Sequence, residues 1–243
     1  MARLRETAPV NVPSKPRTLW ETVAATRWGR YTTEVVESAV IAACDVAGAP
    51  GSALEVGCEG GRWSQFLVDR GWTLTCTDIN ADVLSICRQR VPDANCILVS
   101  PDRTTLPCPT ATVQLVLCLE VFPVMDSDWF AAEATRVLDN GGVLVGVALN
   151  RASIRAGFVR LKEHVQGGTS YFYRHSYAKR RAVLRDAGFE ILFERGYCWF
   201  PFSRASNSRL VPVLTRLERW LLLDRIPLLS PWVAFVARKA PRT

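Results

Sequence analysis

Ala53-Leu54-Glu55-Val56-Gly57-Cys58-Glu59-Gly60-Gly61 is the stretch on which the fold turns. Leu54 and Val56 suit a buried parallel strand, and the glycines let the backbone swing close to a ligand before a helix opens at about Arg62. Such a turn presents unpaired backbone N–H groups at a helix N-terminus, which suits the polar or anionic part of a cofactor. A dinucleotide site asks for G-x-G-x-x-G, whereas the glycines here fall as G-C-E-G-G, so that fingerprint is missing.

Downstream, Trp63, Phe66 and Leu67 share one helix face, and Gly71 stands where a C-terminal glycine belongs. Thr73 to Thr77 reads as a strand ending in Asp78, 21 residues beyond Gly57. An acid there is placed to accept hydrogen bonds from both ribose hydroxyls of a nucleoside, with Ile79 packing on the adenine face. The arrangement serves NAD and S-adenosylmethionine (SAM) alike. Asn80 caps a helix carrying Val83, Leu84 and Cys87 that stops near Val91-Pro92, and Cys96 to Val99 is a third strand. Val113 to Leu119 is a near-continuous apolar run, as expected of a central strand. Asp126 or Ser127 then starts a helix with Phe130, Ala134, Val137 and Leu138 inward, and Asp139 to Gly142 turns it into a strand over Val143 to Leu149. Upstream, Thr18-Leu-Trp-Glu21 has the spacing of a capping box, and Val35, Val36, Ala39, Val40 and Ala43 line one face of a second helix.

Leu54, Glu55, Val56, Gly57, Cys58 and Gly61 match L-E-V-G-C-G-x-G, and on these residues the chain resembles the class I SAM-dependent methyltransferases of the small-molecule, type 11-like group. Two further stretches carry the resemblance: Asp102 to Pro107, similar to D-x-x-x-L-P, and Arg136, Leu138, Gly141 and Gly142, similar to R-x-L-x-x-G-G. It extends over roughly Trp20 to Asn150. It implies an α/β fold with a doubly wound, seven-stranded, mostly parallel sheet closed by a C-terminal antiparallel pair, formed by late strands at about Phe189 to Phe193 and Trp232 to Lys239. It also implies SAM as cofactor. Glu55, Gly57, Cys58 and Gly61 would surround the methionine end, Asp78 and Ile79 the nucleoside, and Asp102 the adenine amino group, with Arg103 and Leu119 completing the set. Glu59 replaces the middle glycine of the motif, which implies either a side chain turned away from the cofactor or altered SAM binding. Gln114 stands where the family commonly has Asp, and Val124 where it often has His. Helices before the first motif close over the pocket in that family, which makes Trp28, Arg30 and Tyr31 lid candidates beside their reading as packing residues.

Composition narrows the setting. With 243 residues, 49% hydrophobic, the chain can bury one large core. Residues 1 to 19 carry three prolines and four cations but no apolar stretch, and read as a flexible arm rather than a secretory signal. Residues 20 to 243 read as a single SAM-binding domain with substrate-covering insertions around 151 to 173 and 203 to 230. The eight cysteines are scattered without a C-x-x-C pair, as buried reduced thiols of a cytoplasmic protein would be. With only His164 and His175 as imidazoles, no metal site is expected. Residues 1 to 150 hold 12 Lys/Arg against 17 Asp/Glu, whereas residues 151 to 243 hold 18 against 6. Such a skew can attract an acidic substrate, a phosphate-bearing carrier or an anionic membrane.

Methyl transfer from SAM is chiefly a matter of alignment and exclusion of water, with a base needed if the acceptor is a hydroxyl. His175, in Tyr173-Arg174-His175-Ser-Tyr177, is the candidate base, with Arg174, Tyr171 and Tyr173 as acceptor contacts. The expected activity is methylation of a small-molecule or lipid-like metabolite, its acceptor acidic or lipid-linked. No nucleic-acid partner is expected, since an aromatic-basic RNA motif is missing. The amphipathic Ser206 to Leu229 leaves packing on the sheet, a homodimer contact and peripheral membrane contact open. Rival readings are a degenerate SAM-fold protein that binds a partner without catalysis, SAM-bound non-methylating chemistry, and a nicotinamide oxidoreductase.

Overall fold

The computed structural model describes residues 18–165 and 173–241. Most of the expected N-terminal arm, residues 1–17, and Tyr171 lie outside the described residues. Two helices, α1 (Leu19–Ala24) and α2 (Arg27–Ala47), precede β1 (Ser52–Val56), α3 (Arg62–Val68), β2 (Thr73–Asp78), α4 (Ala81–Arg90) and β3 (Asn95–Leu98). Then come β4 (Val113–Cys118), α5 (Phe122–Met125), α6 (Phe130–Val137), β5 (Leu138–Leu149), α7 (Ile154–Val165), α8 (Tyr177–Asp186) and β6 (Phe189–Tyr197). The chain ends with α9 (Val211–Trp220), a 3-10 turn (Leu223–Arg225) and β7 (Trp232–Lys239).

The seven strands form one sheet in the order β3-β2-β1-β4-β5-β7-β6. β1 to β5 run parallel, and β7 inserts antiparallel between β5 and β6. Alternation along the strands divides the core between the two faces. Residues of α2, α3 and α4 pack over one face, and residues of α5, α6 and α8 over the other. The two-sided burial explains why β1, β4 and β7 read as apolar runs rather than alternating patterns.

The expected capping box at Thr18 forms in full. Between β4 and β5 the structure departs from expectation. Asp126 does not open a helix, because its carboxylate is held by Arg180 in a buried ion pair at 2.8 Å, and the Ser127 hydroxyl donates back to Val124 O. Pro123 instead starts the short α5 a turn earlier, and α6 begins only at Phe130. Leu138 already belongs to β5, which passes a register shift opposite Val113 and Leu115 before settling at Val143. Of the amphipathic stretch 206–229 only α9 and the 3-10 turn are helical.

Candidate functional site

β1, β2 and β4 end side by side where the strand order reverses between β1 and β4, the point at which open α/β sheets bind ligands. A cavity of about 670 Å³ opens there. Its floor is the loop after β1, with Asp78 to Asn80 on one side and Leu119 to Val121 on the other; α1 and the start of α2 form the roof.

The loop is tied down by backbone bonds, with Gly57 N–H and Cys58 N–H both donating to Thr77 O at 2.8 and 2.9 Å. Gly57 has φ +70°, and a Cβ there would stand 2.5 Å from Val121 Cγ2. Gly61, at φ +78°, caps α3, and its Cβ would meet Cys87 Sγ at 2.8 Å. Both positions require glycine for conformation and for space. Below the loop, Cys76, Cys87 and Cys96 bring their sulfurs within 4.8 Å of one another, a juxtaposition the scattered spacing concealed.

Glu59 occupies the left-handed region at φ 50°. Its N–H donates to Asp78 Oδ2 at 2.9 Å, and its carboxylate accepts from Trp20 N–H in the first turn of α1 at 3.4 Å. The side chain that replaces the expected glycine is thus held by the roof of the cavity. Burial pushes its carboxyl up, opposed by the Thr18 side chain and the Trp20 N–H.

Glu55 is buried at the end of β1 and accepts from Ser64 Oγ at 2.5 Å. Burial raises its pKa to about 8, with the Ser64 bond pulling the other way, so the carboxyl is mostly protonated at neutral pH. Asp78 accepts from Glu59 N–H through Oδ2 and from Asn80 N–H through Oδ1, both at 2.9 Å, which fixes its carboxylate at the cavity wall with lone pairs to spare. Ile79, although apolar, is 61% exposed, facing the cavity from the end of β2. Cys58 and Leu119 complete this half of the lining.

The other half comes from residues that sequence reasoning passed over or named for other reasons. Arg204 places its guanidinium 4.8 Å from the Trp20 ring centroid, 5.1 Å from Trp232 and 5.9 Å from Phe122. Glu120, the second residue beyond β4, also faces the cavity from a left-handed conformation at φ 59°. The protein packed around Glu120 pushes its carboxyl up despite access from the cavity, and Arg204 and Arg62 pull it down. Trp28, a lid candidate, lines the roof; Arg30 is exposed, and Tyr31 turns inward to donate to Glu218.

Several expected site residues stand outside the lining, among them Gly61, which serves as the cap of α3, and Arg174. Asp102 and Arg103 are exposed and outside the cavity lining. The turn closed by Arg103 N–H on Ser100 O keeps Pro101 on the wall and carries the two charged residues past it. His175 is also outside the lining. It sits at the approach to α8, which packs on the sheet face opposite α2, with Lys179 Nζ 3.4 Å from its Nδ1. Partial burial and the Lys179 charge lower its pKa. Tyr173 stands behind the wall, its hydroxyl accepting from Trp232 Nε1 at 3.3 Å.

This strand order, the cavity at its switch point and an acid closing β2 define the class I SAM-dependent methyltransferase fold. Residues 54–146 match the family model described as "Methyltransferase domain", in keeping with a SAM-dependent methyltransferase. No curated protein matches the chain in sequence. Among solved structures, a geranyl diphosphate methyltransferase in complex with GPP and sinefungin superposes with a TM-score of 0.60 at 16% identity, over 87% of this chain and 80% of that one. A SAM-dependent methyltransferase from Methanosarcina mazei gives 0.58 at 15%, over 84% and 98%. Another from Mesorhizobium loti gives 0.56 at 14%, over 89% and 99%.

Proposed function

We propose that this cavity transfers the methyl group of SAM to an amphiphilic small molecule, with an apolar body and an anionic group. The observation that carries the reading is the division of the cavity into two halves. One half gathers Glu55, Glu59 and Asp78 around a glycine turn; the other sets Arg204 among aromatic rings beside Glu120. The Asp78 carboxylate suits a cofactor that carries a sulfonium and an ammonium, while Glu55, mostly protonated, offers hydrogen bonds rather than charge. Asp78 offers acceptor positions for a ribose diol, Ile79 an apolar face for adenine, and Glu55 with the loop at Gly57 and Cys58 the seat of the amino acid end.

When bound, SAM supplies a methyl group already activated on sulfur. The remaining work falls to the chain. Trp20, Trp28 and Trp232 exclude water from the space beyond Leu119. Arg204 holds the acceptor's anionic group, which fixes the nucleophile in line. Glu120, its affinity for protons raised by its surroundings, takes the proton that the acceptor releases on methylation, from O–H or N–H, or from C–H beside the methylated carbon of an alkene. That role replaces His175, which has no access to the cavity lining. An isoprenoid diphosphate has this amphiphilic chemistry, and the geranyl diphosphate methyltransferase shares the fold.

Calorimetric titration with SAM, S-adenosylhomocysteine and NADH tests the cofactor half without knowledge of the acceptor. The expected result is saturable binding of the two sulfur nucleosides alone, weakened in Asp78→Ala by about tenfold or more, the scale of a lost hydrogen bond to a charged group. Unchanged affinity in that variant would remove Asp78 from the ribose.

A further inference from the structure

Two helices outside the cavity carry apolar stripes that stand exposed among the described residues. On α7, Ile154, Phe158, Leu161 and Val165 recur at helical spacing and are all more than 60% exposed. On α9 the inner face holds Val211, Thr215 and Glu218, while Val213, Leu217 and Trp220 look outward, Trp220 at 78% exposure. The outward stripe continues through Leu221 and Leu222, then Leu228 and Leu229 beyond the 3-10 turn. Asn150 stitches the two regions together. Its side-chain amide donates to Leu228 O at 2.8 Å and Ser230 O at 3.0 Å, and its carbonyl accepts from the Ser153 hydroxyl just ahead of α7. Apolar surface of this extent marks a contact site rather than an ordinary solvated face.

The surrounding charge selects the occupant. Arg209, Arg216, Arg219 and Arg225 are exposed along and beside α9, and Arg151, Arg160 and Lys162 along and beside α7. Few acids oppose them: Glu218 is buried against Tyr31, Asp224 pairs with Arg195, and Glu34 with Arg219 and Glu163 on α7 leave the cations in clear excess. A two-fold contact between copies would set these cations against their own equivalents. An anionic bilayer meets both demands, taking the leucines and Trp220 into its interface while its headgroups face the arginines. We propose that α7, α9 and the 221–229 turn dock this protein peripherally on anionic membranes. The docked face adjoins the roof of the cavity, since Ser206 O, ahead of α9, accepts from Trp28 N–H. An amphiphile leaving the bilayer would therefore start close to Arg204.

Sedimentation of the full chain with vesicles tests this without SAM or acceptor, so its outcome is separate from the cofactor reading. Vesicles of phosphatidylcholine containing about 30 mol% phosphatidylglycerol should bind the protein, those of pure phosphatidylcholine much less, and salt should release it. Trp220→Ser with Leu221→Ser should lower partitioning by roughly tenfold or more. Arg209→Glu with Arg216→Glu should do likewise on anionic vesicles, and unchanged SAM affinity would confirm that both variants are folded. Equal binding to neutral and anionic vesicles would overturn the charge argument. A stable dimer that binds no vesicles would assign the face to a second copy and overturn the proposal, as would a monomer that binds none.

Discussion

At the residue scale, Glu120 and Arg204 separate two tasks that fall on neighbouring walls of one cavity. Glu120 stands in a strained backbone conformation, which persists where surrounding structure enforces it, and the protein around it raises its carboxyl, which favours proton uptake. Glu120→Gln keeps the size and hydrogen bonding but cannot take a proton. The expected outcome is a fall in kcat of about a hundredfold, the usual span for general-base loss, with loss of the acidic limb of the pH profile and little change in SAM affinity. A variant that kept that limb would assign the base elsewhere. In the proposed reaction Arg204 would act through its charge on the acceptor. Arg204→Met, which preserves contact with Trp20 and Trp232, should raise the acceptor KM by roughly tenfold or more while leaving SAM binding intact. Equal effects on both ligands would mean that the guanidinium only holds the aromatic wall together.

At the scale of elements, α1 matters more than its six residues suggest. Too short to be stable alone, it is fixed by three attachments: the Thr18 capping box, the Glu59 carboxylate on Trp20 N–H, and Glu21 paired with Arg90 of α4 at 2.5 Å. The last two anchor the roof to the glycine loop and to the helix after β2, so the cofactor half of the cavity and its lid share supports. Glu21 also completes the capping box, which lowers its carboxyl through Arg90 and the Thr18 N–H despite the opposing effect of burial. Glu21→Ala should therefore free α1 without unfolding the sheet. Amide exchange over 19–24 should accelerate by at least about tenfold and SAM affinity should weaken several-fold, while the melting temperature moves by only a few degrees. Unaltered exchange there would show that packing of Val23 and Trp28 alone holds the roof.

At the scale of the whole molecule, what was legible followed the order of the chain. The central strands β1 and β4 announced themselves by apolar runs, and Asp78 closed the alternating β2 where a nucleoside site needs an acid. Arg204 and Trp232 had no such local signal. Trp232 reaches the cavity because β7 inserts between β5 and β6, and Arg204 because the segment after β6 crosses to α1 and the start of α2, tertiary facts that periodicity does not encode. Asp102 and His175 were misplaced for the converse reason, since a turn and a choice of sheet face decide their direction. The same closed core has a thermodynamic consequence. Burial lifts Glu55 from 4.5 to about 8 and Glu218 from 4.5 to about 7, so over that window the folded protein retains protons that the unfolded chain has released. Their contribution to stability is full below about pH 4.5 and is lost as pH rises through 7 and 8. For Glu55 the swing is on the order of a few kcal/mol, and its ionisation sits beneath the cofactor loop through Ser64. Denaturant titrations of the ligand-free protein between about pH 6 and 9 should show stability declining with pH. Glu55→Gln, which mimics the protonated side chain and can still accept from Ser64, should flatten much of that decline. An unchanged slope in this variant would place the titrating group elsewhere, with Glu218→Gln as the matching test at the contact between α2 and α9.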